Sequence, residues 1–185
     1  MATLFTHPAI ALGLFPWFRQ FRYFKPVLVI GILLTILPDI DVIGFRFDIS
    51  YAHLFGHRGF THSLFFAGFV SAVSAWVLAK YYALKLAPVW LFLFLCLASH
   101  GLLDALTNGG HGVAFFSPFS NQRYFFSVQP IEVSTLSISR FFAGQGIKVI
   151  SSELVWVWLP AMGIFLAGLV WLRLANSKSK ADVLR

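Results

Sequence analysis

The sequence predicts an all-α fold, a bundle of membrane-spanning helices, and three observations support this prediction. Hydrophobic residues make up 58% of the 185 residues, charged residues only 11%, and the mean hydropathy is +0.79. A soluble domain carries roughly 25% charged residues, so much of this surface must face lipid. Long apolar stretches recur between groups of Lys and Arg. The length fits one domain, which excludes an enzyme with a separate soluble catalytic module.

About five apolar segments are predicted along the chain. Three of them approach the ~20 residues that cross ~30 Å of hydrocarbon, and these are residues 64–79, 86–103 and 154–172. The first two segments are shorter, since one ends at Arg19 and the other, residues 26–37, is ended by Pro38. The first lacks the basic start and the small-residue cleavage site of a signal peptide, so we expect it to be retained.

Between the last two segments we expect a long irregular loop. Residues 1–175 are predicted to form a single membrane-embedded domain, and residues 176–185 a polar cytoplasmic tail.

The Lys and Arg residues divide unequally between the two ends of the segments. Nine fall on one side: Arg19, Arg22, Lys25, Lys80, Lys85, Arg173, Lys178, Lys180 and Arg185. Five fall on the other: Arg46, Arg58, Arg123, Arg140 and Lys148.

Cytoplasmic loops of membrane proteins carry an excess of Lys and Arg, so this bias predicts a cytoplasmic C-terminus. With five crossings the N-terminus lies outside. The net charge of +7 then reflects membrane topology, and we predict no nucleic acid binding.

Histidine and aspartate side chains gather at the predicted membrane face opposite the basic ends. They are His7, Asp39, Asp41, His53, His57, His62, His100, Asp104 and His111. Any single one can be explained as a helix cap or an interfacial side chain, but as a group they indicate a site. Cys96 is the single cysteine, so a metal here must be held by histidine and carboxylate.

The spacing of these residues suits metal binding. His100 and Asp104 are four residues apart on a predicted helix, so both point to one side and can bind one ion. In an extended stretch after Pro38, Asp39 and Asp41 would also share a side. Two bare carboxylates so close would repel each other, and a cation removes that repulsion. The alternative is that one of them caps a short following helix.

The segment His-Arg-Gly-Phe-Thr-His-Ser leads into the third apolar segment, and Gly59 permits a bend between His57 and His62. Arg58 cannot ligate a metal, but it can hold an anionic substrate group; the alternative is a pair with a neighbouring carboxylate. Thr61 and Ser63 are candidate substrate contacts, and one of them is alternatively the N-cap of that segment.

His7 is placed at the outer face by Pro8, which suits the first turn of a helix. Arg123, in the long loop, is a second candidate clamp for an anion. His53 and His111 are more simply explained as ordinary loop histidines.

The order of these motifs resembles the YdjM-like (YbcI/YdjM) family of bacterial inner-membrane, metal-dependent hydrolases. The shared pieces are His-Pro, Leu-Pro-Asp-Ile-Asp, His-Arg-Gly-Phe-Thr-His-Ser and His-Gly-Leu-Leu-Asp-Ala-Leu-Thr, over residues 7 to 123. That family is distantly similar to zinc-dependent phospholipase C and the single-strand nucleases. The resemblance implies one to three divalent ions, zinc before manganese or iron, and as ligands His7, Asp39, Asp41, His57, His62, His100 and Asp104.

We therefore predict a membrane-bound hydrolase that cleaves a phosphate ester of a lipid or another amphiphile with metal-activated water. Arg58 or Arg123 would hold the anion, and Asp41 or Asp104 would accept the proton of the water. The site is predicted on the outer, periplasmic face. The alternatives are a metal-ion or proton transporter, and a non-catalytic membrane protein with a structural metal. Transport would place polar residues at both ends of the helices, which this sequence does not show.

Overall fold

A computed structural model describes residues 1–18, 24–134 and 141–183, which form a bundle of helices. The α-helices are α1 Pro8–Phe18, α2 Phe24–Ile36, α3 Leu64–Tyr82, α4 Leu86–Ala105, α5 Gly146–Glu153 and α6 Leu159–Val183. Residues Leu154–Trp158 form a π-helical turn that joins α5 to α6. These three ranges contain no β-strand, and two isolated bridges are the only β pairing in them. The predicted all-α bundle is confirmed.

Among the described residues, four helical stretches are long and apolar enough to cross a membrane, and α1 is a shorter apolar helix. They are Lys25–Phe47, Leu64–Tyr82, Leu86–Ala105 and Gly146–Ser177. The three predicted full spans are confirmed, and the last begins earlier than the sequence suggested. The long connection before it is irregular over residues 106–134, apart from the two bridges.

The second segment differs from the expectation at Pro38. The α-helix does end before this proline, which cannot donate a backbone hydrogen bond. The chain then continues as a 3-10 helix, Leu37–Phe47, instead of the extended stretch that we predicted, which gives the segment its full length. Runs of 3-10 helix this long are uncommon, and this one carries Asp39 and Asp41. Neither caps a helix, because the N-cap position is Ile36.

Helix α4 lies at the centre of the bundle and packs against α1, α2 and α3, while α1 also packs against α2 and α6. Val89, Phe92 and Cys96 of α4 are completely buried in the main apolar core. A Cβ atom at Gly31 of α2 would lie 2.6 Å from the Phe92 ring. The glycine therefore allows the two helices to approach closely, as small residues do between membrane helices.

The polar and basic ends of the bundle are separate. Helix α3 begins two residues after His62 and ends two residues beyond Lys80. Helix α4 begins directly after Lys85 and runs back past Asp104. Four of the Lys and Arg residues that predict the orientation in the membrane lie outside the described residues: Arg19, Arg22, Arg140 and Arg185. The orientation in the membrane stays a prediction.

We predict that a His111→Cys variant, in a Cys96→Ala background, reacts with a membrane-impermeant thiol reagent added to intact cells. A Ser177→Cys variant should react only after the membrane is permeabilised. Both positions are exposed, so accessibility across the membrane decides the labelling. The opposite labelling pattern would place the polar end of the bundle in the cytoplasm.

Candidate metal centre

Seven of the predicted side chains meet in one buried cluster at the end of α4. They come from four parts of the chain: the residue before α1, the 3-10 helix after α2, the loop before α3, and the last two turns of α4. All seven are exposed by 9% or less: His7, Asp39, Asp41, His57, His62, His100 and Asp104. The structure leaves His53 and His111 on the surface, outside this cluster.

His100 is oriented by the backbone of α2. Its Nδ1 atom lies 2.7 Å from the carbonyl oxygen of Thr35, which can only accept, so Nδ1 carries the proton. The Nε2 atom is left facing Nε2 of His62 at 3.0 Å and Oδ1 of Asp39 at 3.4 Å. A backbone bond of this kind fixes the orientation of a histidine that ligates a metal through its other nitrogen.

His62 lies among three carboxylates. Its Nδ1 atom is 3.1 Å from Oδ2 of Asp41, and its Nε2 atom is 3.6 Å from Asp104 and 3.8 Å from Asp39. Burial alone would lower the pKa of His62, but Asp104 and Asp41 outweigh burial and raise it to about 9. Without a metal, protonated His62 therefore offsets part of the buried negative charge.

Gly101 lets His62 reach the cluster. A Cβ atom at this position would lie 2.9 Å from the carbonyl oxygen of His62, too close for any other residue without a shift of the backbone. The loop before α3 is thereby held against the last turns of α4.

Asp41 has both carboxylate oxygens occupied by hydrogen bonds. Oδ1 accepts from Nδ1 of His57 at 2.7 Å. Oδ2 accepts from the hydroxyl of Thr61 at 2.7 Å and from the backbone N–H of Arg58 at 3.1 Å. These contacts make Asp41 the anchor of the loop that carries His57 and His62, which resembles the outer-shell carboxylates of metal sites.

Asp39 and His7 are the opposite case, because none of their side-chain polar atoms has a hydrogen-bond partner among the described residues. The His7 ring stacks on His100 with 3.9 Å between ring centroids, and its Nε2 atom is 4.0 Å from Asp104. Burial, with His100 adding to it, lowers the pKa of His7 to about 3, so the ring is neutral. A buried polar group without a partner costs roughly 1–3 kcal/mol and calls for an explanation.

Among the described residues, two sets of side chains could each hold a metal ion, because each member offers one ligand atom and the ligand atoms of a set all lie within 4.8 Å of one another. The first set is Asp39, His62, His100 and Asp104, and the second is Asp41, His57 and His62. The first set contains the unpartnered Asp39 and adjoins the unpartnered His7. In the second set the side chains already bond to one another. Imidazole and carboxylate ligands suit Zn, Mn or Fe, so the first set fits a divalent metal ion.

Arg58 has the alternative role considered for it, a pair with a carboxylate. It is completely buried, and its Nε atom donates to Oδ2 of Asp104 at 2.9 Å. Its two terminal nitrogens donate to the carbonyl of Gly109 at 2.8 Å and to the hydroxyl of Thr107 at 3.0 Å. The guanidinium is therefore not available to a substrate in this conformation, and Arg58 holds Asp104 and the loop after α4 instead.

Other predicted contacts also support the loops. Arg123 is half-buried and donates to the carbonyl of His57 at 2.9 Å, with its guanidinium 5.0 Å from the Tyr51 ring. The hydroxyl of Ser63 accepts from the backbone N–H of Phe66 at 3.0 Å, which makes Ser63 the N-cap of α3. Thr61 is the hydroxyl that reaches the cluster.

Glu153 is a buried polar residue that the sequence analysis missed. Its carboxylate accepts hydrogen bonds from the backbone and hydroxyl of Thr3 and from the hydroxyl of Thr6. A lone carboxylate at the edge of the apolar stretch 154–172 was the signal that could have identified it.

The chain is similar in sequence to known inner membrane proteins. A family model described as YdjM inner membrane protein matches residues 1–177. The inner membrane protein YbcI of Escherichia coli (strain K12) is 42% identical over 173 residues, which cover 94% of this chain and 99% of that relative. No solved structure matches the chain.

Removal of the Arg58 side chain should destabilise the fold. We expect Arg58→Ala to lower the free energy of unfolding by about 3–5 kcal/mol, because the buried Asp104 carboxylate loses its cation. Unfolding of the purified protein in mixed detergent micelles measures the change. Arg46→Ala, at an exposed position, is the matched control and should change stability by less than about 0.5 kcal/mol. Equal stabilities for the two variants would contradict the structural role of Arg58.

Proposed function

Since the chain belongs to the YdjM family of inner membrane proteins, we propose that it is a membrane-bound, metal-dependent hydrolase. One observation carries the proposal: Asp39 and His7 are buried without hydrogen-bond partners among the described residues, beside His62, His100 and Asp104. A divalent cation would satisfy these atoms and offset the charge of the carboxylates. Zinc is the first choice for such ligands, with manganese or iron as alternatives.

In this proposal the metal is held by Asp39, His62, His100 and Asp104, with His7 next to them. Asp41 and His57 act as supports, because the Asp41 carboxylate is already saturated with hydrogen bonds. A second ion at Asp41, His57 and His62 would have to replace those bonds. We therefore propose one tightly held ion, the lowest number in the predicted range.

When bound, a divalent ion supplies Lewis acidity and lowers the pKa of a coordinated water towards neutrality. The protein must then provide an acceptor for the proton of that water. Asp104 is engaged by Arg58 and by the backbone of Ala2, and Asp41 by three donors. Asp39 has no hydrogen bond to either oxygen in the described structure, so it replaces Asp41 and Asp104 as our candidate acceptor.

A phosphate ester of a lipid or another amphiphile is the substrate class that we propose. The segments around the cluster expose large aromatic side chains, among them Phe47, Phe55, Phe116 and Phe119. Aromatic residues favour the interface between membrane and water, where amphiphilic headgroups also lie. Arg123 is the candidate contact for the anion, because Arg58 has no accessible surface.

The second candidate is a structural metal without catalysis, and the burial of the cluster favours it. Closed ligand sets are typical of structural sites, whereas catalytic sites keep an open position for water. A transporter has less support, since the described histidines and aspartates of the cluster lie at one end of the bundle.

Metal content tests the site. We expect the purified protein to hold about one transition-metal ion per chain, and the His100→Ala and Asp39→Ala variants to lose it, because each removes a ligand side chain. His111→Ala removes a surface histidine and should keep the parental metal content. Elemental analysis after gel filtration in detergent provides the measurement. If both ligand variants hold as much metal as the parent, the assignment of the ligands is wrong.

Hydrolysis separates the two candidate functions. The zinc-loaded protein should cleave members of a panel of lipid phosphates and soluble phosphoesters, and a chelator should abolish the activity. In Asp39→Asn reconstituted with saturating metal, kcat should fall by roughly 10²–10⁴-fold, as for loss of a general base. A parent whose thermal stability depends on the metal, but which cleaves no panel member, would support the structural alternative instead.

A further inference from the structure

Glu153 is a carboxylate in a costly position, and the chemistry proposed above does not use it. It is only 3% exposed, and it lies within Gly146–Ser177, a helical stretch long enough to span the membrane. Ionisable residues in such segments are expensive, and they are usually retained for a function. The question is what this side chain does for the protein.

All the hydrogen bonds that the structure assigns to this carboxylate come from residues 1–6. The backbone N–H of Thr3 donates to Oε1, and the Thr3 and Thr6 hydroxyls donate to Oε2 at 2.7 and 2.8 Å. The indole N–H of Trp158, one turn further along the same helix, lies 3.2 Å from the Thr6 hydroxyl. Glu153, the last residue of α5, thus fastens residues 1–6 to the helical stretch Gly146–Ser177.

The same residues contact the candidate metal centre. The backbone N–H of Ala2 donates to Oδ1 of Asp104 at 3.0 Å. His7 follows Thr6 directly, and its ring stacks on His100. Residues 1–6 therefore connect Glu153 on one side with two members of the cluster on the other.

His7 depends on this connection, because neither of its ring nitrogens is hydrogen-bonded in the described structure. Its place is set by the stacking on His100 and by the course of the backbone through Thr6. The side chain of Thr6 is itself buried and held by Glu153 and Trp158.

We propose that Glu153 is a positioning residue of the metal centre: it anchors residues 1–6, and so holds His7 and the Ala2 amide in place against Asp104. This inference rests on the proposed metal centre. It adds to that centre a residue from the end of α5, at least 49 positions further along the chain than any of the seven cluster residues.

Cobalt(II) binding tests the proposal, since the visible absorption of cobalt depends on its ligands. In Glu153→Ala the affinity for cobalt should fall by about 10–100-fold, as for outer-shell partners of metal ligands. Its cobalt spectrum should change in the same direction as that of His7→Ala. The loss of affinity in the double variant should be smaller than the sum of the two single losses, because both substitutions act partly on the same interaction.

Two further variants separate positioning from general stability. Glu153→Gln keeps an acceptor for the Thr3 amide, and its own amide can donate to the threonine hydroxyls, so its spectrum should stay close to parental. Glu132→Ala removes an exposed carboxylate elsewhere and should leave both spectrum and affinity unchanged. Effects of Glu153→Ala and His7→Ala that simply add, or a Glu153→Ala variant with the parental spectrum, would overturn the proposal.

Hydrogen exchange of the metal-free protein gives a reading that does not depend on the metal. Backbone amides of residues 1–7 should exchange faster in Glu153→Ala than in the parent and in Glu132→Ala. Unchanged exchange would overturn the anchor whatever the metal does. If the parent binds no cobalt while the exchange responds, the proposed metal centre fails and the anchor to Glu153 stands.

Discussion

The burial of three aspartates at one end of an apolar bundle is the constraint on which the rest of the structure depends. Each carboxylate must be compensated where lipid and apolar side chains exclude water. Asp104 is compensated by Arg58, and Asp41 by donors from the loop before α3. Asp39 receives no hydrogen bond from the described residues. The contacts of Asp104 and Asp41 shape the loops. Asp39 leaves a buried negative charge that calls for a cation.

Much of the fold follows from the sequence because lipid imposes simple rules on helices. Charge-free stretches of sufficient length predicted the first residues of α3 and α4 correctly and their last residues to within three positions. The 3-10 helix Leu37–Phe47 could not be predicted, because Pro38 signals only that the α-helix ends. Whether the chain then extends or continues as another helix depends on how Asp39 and Asp41 pack against His62 and His100, and these contacts are formed across the bundle.

The side chains of the site were predictable as a set, since histidine and aspartate are conspicuous in so apolar a chain. Their separate roles were not. Arg58 lies between two histidines in sequence, which suggests contact with a substrate, yet its partner Asp104 is 46 residues away. Glu153 gave only the weak signal of one carboxylate beside an apolar stretch. Its partners lie about 150 residues earlier, in a segment whose composition shows nothing of that contact.

The distribution of hydrogen bonds separates support from chemistry within the cluster. A carboxylate that accepts several fixed donors is stabilised as the anion and becomes a poor base. Asp41 and, through Arg58, Asp104 are of this kind, and their contacts keep the surrounding loops in place. Asp39 and His7 are held by packing and by neighbouring backbone, and their polar atoms have no hydrogen-bond partner in the part of the chain that the structure describes. In the proposed function, Asp39 and His7 are therefore the residues whose polar atoms remain to contact a metal ion or to accept a proton.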